Sequence, residues 1–190
     1  MPTIKVTDAT VEPITLAQAK QWCRVDAGDD DGLFTSLCIP AARQDAERYL
    51  RRTLLPTTWR LVLDGFPAGR IELQYPNLLQ VTTVKYFDLT GTEQTLPAQA
   101  YLVDVVSQPG TIAPAPGSQW PSAQDRLNAV SIDYTAGWAT PDLVPAAIRM
   151  WIALRAATLY EHREMIIAGA SVAEVPFVNN LLDGYTVYSL

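Results

Sequence analysis

At Thr57 the hydrophobic period of this sequence changes from about 3.6 to 2, and the helical period does not return until Pro145. A stretch of apolar residues can serve a helix stripe or a strand face but not both, so this change of period divides the chain into helices, then sheet, then helix. From the change onward, Thr58, Arg60, Val62 and Asp64 alternate with Trp59, Leu61, Leu63 and Gly65, the pattern of a strand with one wet face. Residues 66–69 read as a turn and 71–73 as a short strand. A longer strand is expected at 81–87, turning through Asp88-Leu-Thr-Gly91 into a return strand at 93–96. Residues 101–106 are expected to pair with Thr111-Ile112, and 129–135 supply the last strand. The proline- and glycine-rich run 109–121 is expected to be a loop that carries Trp120.

The helical parts have their own signals. After Pro145, suited to a first helical turn, Ile148, Trp151, Ile152, Leu154, Ala157, Leu159 and Tyr160 recur at three- and four-residue spacing, with Ala146, Ala147, Ala153 and Ala156 on the other side. A helix at 145–163 with small residues opposite large ones can be approached closely on more than one face and belongs at a core or a subunit contact. Thr15 and Gln18 form a capping box that opens a helix at 15–24, with Leu16, Ala19 and Cys23 on one face. A second helix is expected at 30–52, with Leu33, Leu37, Ala41, Tyr49 and Leu50 as its inner stripe and a bend at Pro40. Arg43, Arg48, Arg51 and Arg52 crowd its latter half, where cations suit the helix dipole, and make the basic patch of the chain. That patch is either a solvated face or a contact with an acidic neighbour. These elements give an α+β fold: an antiparallel bundle of N- and C-terminal helices with a small, mostly antiparallel β domain inserted. The expected parts are a helical part at 1–56, the β domain at 57–140, the completing helix at 141–166 and an arm at 167–190.

The arm lacks helical period around 175–180, yet Phe177, Leu181, Leu182, Tyr185, Val187, Tyr188 and Leu190 are too apolar to leave in water. Alternation at 185–190 is expected to give a strand completed by a neighbour, or one folded back on the chain's own β domain. Little points to chemistry. The sequence has no glycine-rich phosphate loop, no G-x-S-x-G and a single histidine, His162, with no positioned nucleophile to act on. Asp26, Asp29, Asp30 and Asp31 are clustered, but without calcium-loop spacing, and acidic residues suit the start of the second helix. Asp64, Asp88, Asp104 and Asp133 mostly fall at turns and strand ends, where aspartate serves local bonds. No catalysis, cofactor or metal is therefore expected. Net charge is -6, with no basic block, which argues against a phosphate-gripping groove. Cys23 and Cys38 read as small hydrophobes in a reducing compartment, and neither a secretion signal nor a membrane span is expected.

The order of local features resembles the head–tail connector, or neck adaptor, proteins of tailed bacteriophages. The resemblance rests on Cys23-Arg24-Val25-Asp26, the Asp-rich helix start, Ala41-Ala42-Arg43 with Glu47, Thr58-Trp59-Arg60-Leu61, Asp64-Gly65-Phe66-Pro67 and Gly69-Arg70-Ile71. It continues through Val84 and Tyr86, Asp88-Leu89-Thr90-Gly91, Tyr101, Pro109-Gly110, Trp120-Pro121, Thr135-Ala136-Gly137-Trp138, Leu159 to Glu164, Val175-Pro176-Phe177 and Leu181-Leu182. It departs at Pro40 and at Asp183-Gly184-Tyr185-Thr186. The resemblance implies a structural protein, not an enzyme, in a ring usually of twelve copies between the portal protein and a tail or stopper protein. DNA would pass through that ring without sequence-specific binding. The implied place is the virion neck, with host cytoplasm the site of assembly; a tail-completion or tail-terminator protein is the alternative. On this reading the subunit or portal contacts fall on Arg48, Arg51, Arg52, Phe177, Leu181, Leu182, Tyr185, Val187 and Tyr188.

Overall fold

The computed structural model describes residues 2–26, 28–161 and 176–187. Its contacts divide them into two compact units, one of residues 2–10 and 56–139, the other of 11–55 and 140–187.

The first unit is all β. Strands β1 (Thr3–Thr7), β2 (Thr57–Leu63), β3 (Ile71–Leu73), β4 (Leu78–Phe87), β5 (Glu93–Thr95), β6 (Tyr101–Asp104), β7 (Gly110–Pro114) and β8 (Val130–Ala136) form two sheets rather than one. The order is β1-β2-β8-β4-β5 in the larger and β3-β7-β6 in the smaller. Every pair is antiparallel. Central strand β8 shows why the period of two was so clear: Val130, Ile132, Tyr134 and Ala136 are buried, and the residues between them are half-exposed. These side chains share one core with Leu61 and Leu63 of β2, Val84 of β4, and Ile71, Leu73, Tyr101 and Ile112 of the smaller sheet. Thr111 and Ile112 pair with Asp104 and Val103 as expected, but the loop expected to run from 109 to 121 needs correction at its start. Its first part is β7, the middle strand of the smaller sheet, because its two proline-free central residues, Thr111 and Ile112, bond to both neighbours while Pro114 closes the end.

Gly110 stands where backbone and side chain meet too closely for any other residue. A Cβ there would lie 2.6 Å from Leu78 Cβ and 2.7 Å from its Cδ2. Because Leu78 Cβ is fixed to the backbone of β4, Gly110→Ala is expected to destabilise the β unit by about 1–3 kcal/mol, as overpacking does. A lowered denaturant midpoint in near-ultraviolet circular dichroism checks this.

The second unit is helical: α1 (Leu16–Cys23), α2 (Asp31–Leu33), α3 (Ile39–Leu50), α4 (Ala146–Glu161) and α5 (Pro176–Asp183). The capping box closes as read, with Thr15 Oγ1 accepting from Gln18 N at 3.2 Å and Thr15 N donating to Gln18 Oε1 at 2.8 Å. Residues 31–50 form one helical run, but Phe34–Cys38 is a π-helical turn, in which Ile39 N donates to Phe34 O. The widened turn lies directly before Pro40, whose absent N–H and bulky ring would conflict with an ordinary preceding turn.

The inner stripe of this helix also needs correction. Phe34, Cys38, Ile39, Ala42, Ala46 and Leu50 are buried, whereas Ala41 is exposed and Leu37 and Tyr49 are 61% and 41% exposed. The face turned inward is chosen by close approach as much as by apolar size. Small Ala42 and Ala46 on this helix, Ala19 on α1, and Ala153 and Ala156 on α4 are almost wholly buried, and they let the helices come together. On α4 the large side chains Ile148, Trp151 and Ile152 are buried as well. The expectation of a non-helical stretch around 175–180 is overturned by α5, which starts at a proline in its first turn, as α4 does after Pro145.

Candidate assembly surfaces

The arginines expected to make one basic patch are pulled in different directions. Arg43 is 3% exposed; its Nε donates to Glu12 Oε2 at 2.9 Å and its Nη1 to Glu47 Oε2 at 3.1 Å. Glu47 Oε1 also accepts from Leu54 N at 3.0 Å, tying the chain beyond the helix to the same network. Arg48 is exposed and pairs with Asp45 at 2.7 Å, and Asp45 also accepts from Arg155 on α4 at 2.9 Å. Arg51 adopts the left-handed conformation, φ 54°, and ends α3 with its N–H donating to Glu47 O. A non-glycine residue there costs roughly 1 kcal/mol and stops the helix sharply. Arg52 is 7% exposed, and burial lowers its pKa. Of the three arginines in the expected contact set, only Arg48 and Arg51 are therefore exposed to solvent. Acidic partners were the missing signal, since none of these lies at a fixed spacing from its arginine except Glu47 and Asp45.

Among the C-terminal candidates, Leu182 is fully buried, while Leu181, Tyr185 and Val187 are half-buried. Asp183 accepts from Tyr49 Oη at 2.6 Å, and Val187 N donates to Leu50 O at 3.1 Å, so this end is bonded to α3 of its own helical unit. The expected strand does not begin within 185–187. The side chain of Phe177, and all of Tyr188, His162 and the remainder of the expected arm, lie outside the described residues.

Of the carboxylates weighed for chemistry, Asp30, Asp31, Asp64, Asp88, Asp104 and Asp133 have structural partners. Asp30 and Asp31 accept from Tyr160 Oη and Lys20 Nζ, both at 2.7 Å, joining the start of the second helix to α4 and α1. Asp133 takes a bidentate pair from Arg60 at 2.6 and 2.7 Å. Asp64 accepts from Asn128 N at 2.8 Å. Asp88 accepts from the hydroxyl of Thr90, the amide of Gln94 and the backbone of Thr92 and Thr90, which together hold its pKa down at about 2. Its ordinary unfolded value is about 3.9, so the stabilisation is complete above that value and is lost as pH falls toward 2. A carbon-detected titration should place the Asp88 midpoint near 2, with the β4–β5 hairpin signals changing over the same range. A midpoint near 4 would show that the turn bonds do not persist in solution.

Cys23 and Cys38 are thiols rather than a disulfide. Among the described residues no group of three or more His, Cys, Asp or Glu side chains is placed to hold a metal, and no helix is long and apolar enough to cross a membrane.

The sequence pattern did not single out two features of the β unit. One is a cleft of about 570 Å³ lined by Phe66, Pro67, Pro114, Trp120, Pro121 and Ala123, among others. Phe66 and Trp120 stack at 5.0 Å, and Trp120 Nε1 donates to Gly69 O at 2.7 Å, which fixes the indole. The other is the exposed apolar run Leu102, Val103, Val105 and Val106 along β6 and its turn, with Val106 85% exposed.

Both sequence and fold have counterparts among known proteins. Residues 13–95 match the model of the Phage gp6-like head-tail connector proteins. A chain in the neck of an empty gene transfer agent particle, computed with C6 symmetry, superposes at TM-score 0.80 and 25% identity, covering 100% of this chain and 98% of that one. In sequence over residues 13–95 the chain is similar to the head–tail connector proteins, and in fold throughout it is similar to a chain of a gene transfer agent neck. Two further chains share the fold at 24% identity, each over 100% of this chain and 98% of its own length. One is from the virion of a native gene transfer agent particle, at TM-score 0.80, and the other from a native neck computed with C12 symmetry, at 0.73. No curated protein matches the sequence. The connector match over 13–95 begins just before the capping box and ends with β5, so it takes in parts of both units. The structural likeness extends it over α4 and α5.

Proposed function

We propose that this connector forms a ring, of twelve copies, between the portal and the tail or stopper of its particle, with DNA passing through the opening. It is a structural protein of the neck of a phage or gene-transfer-agent-like particle, joining head and tail components. The observation that carries the reading is the end-to-end likeness to a neck component, which takes in the helical elements and both sheets together. Twelve copies are compatible with the six-fold symmetry applied to that neck. A net charge of -6 fits a wall past which DNA slides, since phosphates held by many cations would have to break those contacts to move. Neutralisation of Arg43, Arg48 and Arg155 by Glu12, Glu47 and Asp45 supports the same view.

The proposed contact surface on the helical unit is Arg48 and Arg51 of the α3 end with Leu181, Tyr185 and Val187. Phe177 and Tyr188 are assigned to it from the sequence alone. Free subunits associate weakly, and the portal acts as their template. Electron microscopy of the purified chain mixed with its portal should show an added ring beneath the portal, and Arg48→Glu with Arg51→Glu should remove the ring while leaving the melting temperature nearly unchanged. Binding to the ends of isolated tail tubes and not to portals would instead identify a tail-terminator protein.

A further inference from the structure

The apolar tip and the aromatic cleft of the β unit lie at opposite ends of one hairpin. In the β6–β7 pair, Asp104 opposes Thr111 next to the turn, and Tyr101 opposes Pro114 at the far end. Pro114 lines the cleft, while Val105 and Val106 stand in the turn. Three residues of strand separate the two ends, about 10 Å at the rise of an extended chain.

The tip is built rather than loose. Asp104 Oδ1 accepts from Val106 N at 2.9 Å and Ser107 N at 3.1 Å, and Oδ2 accepts from the Ser107 hydroxyl. The turn is also anchored from the side, Gln108 Nε2 donating to Asn77 Oδ1 at 3.0 Å. Hydrogen bonds thus hold two β-branched apolar side chains outward, an arrangement that gives the isolated subunit no burial. The cleft is uncharged: stacked Phe66 and Trp120 with Pro67, Pro114 and Pro121 give it stiff apolar walls, and Ser118, Gln119 and Ser122 add a polar share to its lining. Its volume of about 570 Å³ is that of a formed binding site.

We propose that the hairpin tip of one copy, Val105 and Val106, seats in the Phe66–Trp120 cleft of the next copy around the ring. Two different patches on one subunit, at opposite ends of one hairpin, make a heterologous contact, the kind that repeats head to tail and closes a ring. The exposed Leu102 and Val103 on edge strand β6 extend the apolar contact behind the tip. The second copy is favoured over the portal or tail as occupant because the chain carries both halves of the contact. Apart from Asp104, whose carboxylate is engaged by the turn's own hydrogen bonds, neither half bears a charge, so the contact depends on salt less than one built from Arg48 and Arg51. The proposal deepens the ring reading and rests on it.

Single-cysteine exchange tests it. In a Cys23→Ser background, Val106→Cys chains mixed with Ala123→Cys chains should give disulfide-linked dimers at high protein concentration, while each variant alone does not. The chain carrying both substitutions should give a ladder of covalent multimers, and that ladder should persist in molar salt and disappear with Val105→Asp. Dimers from Val106→Cys alone, cross-links only to a portal or tail protein, or no cross-link in the mixture would overturn the contact. A ring visible on the portal with its cysteines unlinked would overturn this contact and leave the neck reading intact; a ladder from a chain that never joins a portal would do the reverse.

Discussion

Phe34→Ala is expected to cost the helical unit about 3–5 kcal/mol, enough to unfold much of it near physiological temperature. Phe34 is fully buried, opens the π-helical turn, and stacks on Tyr160 of α4 with ring centroids 4.4 Å apart. Removing the ring leaves a cavity between two helices and also loosens the Tyr160 hydroxyl that donates to Asp30. Relaxation fills little of the space, because much of this helical core is made of short buried side chains such as Ala42, Ala46 and Ala156, which have no reach to give. Circular dichroism at 222 nm under urea follows this unit, since the other described unit is built of strands. The Phe34→Leu variant, which keeps most of the volume, should lose less than half as much. Equal losses in the two variants would mean that the aromatic stack, and not the filled space, sustains the site.

Arg43→Ala should have an effect of similar size for a different reason. The change strips the cation from Glu12 and Glu47, and Glu47 then remains largely buried without its charge partner while still accepting from Leu54 N. Breaking one side of a buried ion pair costs about 3–5 kcal/mol, most of it the penalty on the charge left behind. The double variant Arg43→Met with Glu47→Gln removes that charge, keeps an acceptor for Leu54 N and should recover a large part of the loss. Denaturant midpoints of the single and double variants give the comparison. A double variant no more stable than Arg43→Ala would show that packing of the arginine stem carries the energy.

Those two residues also mark how far the sequence could be read. The β strands were legible because each strand of a sheet with a buried face announces itself by alternation; β2 and β8 do so nearly from end to end. The capping box was legible because both its partners lie within four residues. Arg43 was not, because its decisive partner Glu12 is 31 residues away and only the fold brings it near. The inner face of the second helix was missed for a related reason. Large residues at helical spacing pointed to Leu33, Leu37 and Tyr49, but close packing against α1 and α4 selected the side carrying alanines and Phe34. The π turn adds a residue within the run, so a constant 3.6 period could not describe both of its ends. Of the expected contact residues, Arg52 and Leu182 turned out to be buried, a distinction that depends on where α3 stops and α5 packs.

The register of β2 with β8 bears on the order in which the molecule is made. Thr57 and Ala136, close to the two ends of the inserted β segment, are direct cross-strand partners. During synthesis the whole segment leaves the ribosome before α4 does, and β1 has already emerged, so the β unit can close while half of the helical unit is still missing. Once closed, it brings the chain entering at Thr57 and the chain leaving at Ala136 to within about 5 Å of each other. For α3 and α4, whose contacts include the Arg155 to Asp45 bond across 110 residues, a long disordered loop is thereby replaced by a short folded bridge. The helical unit then joins its own two halves across a short connection, as a helical hairpin does.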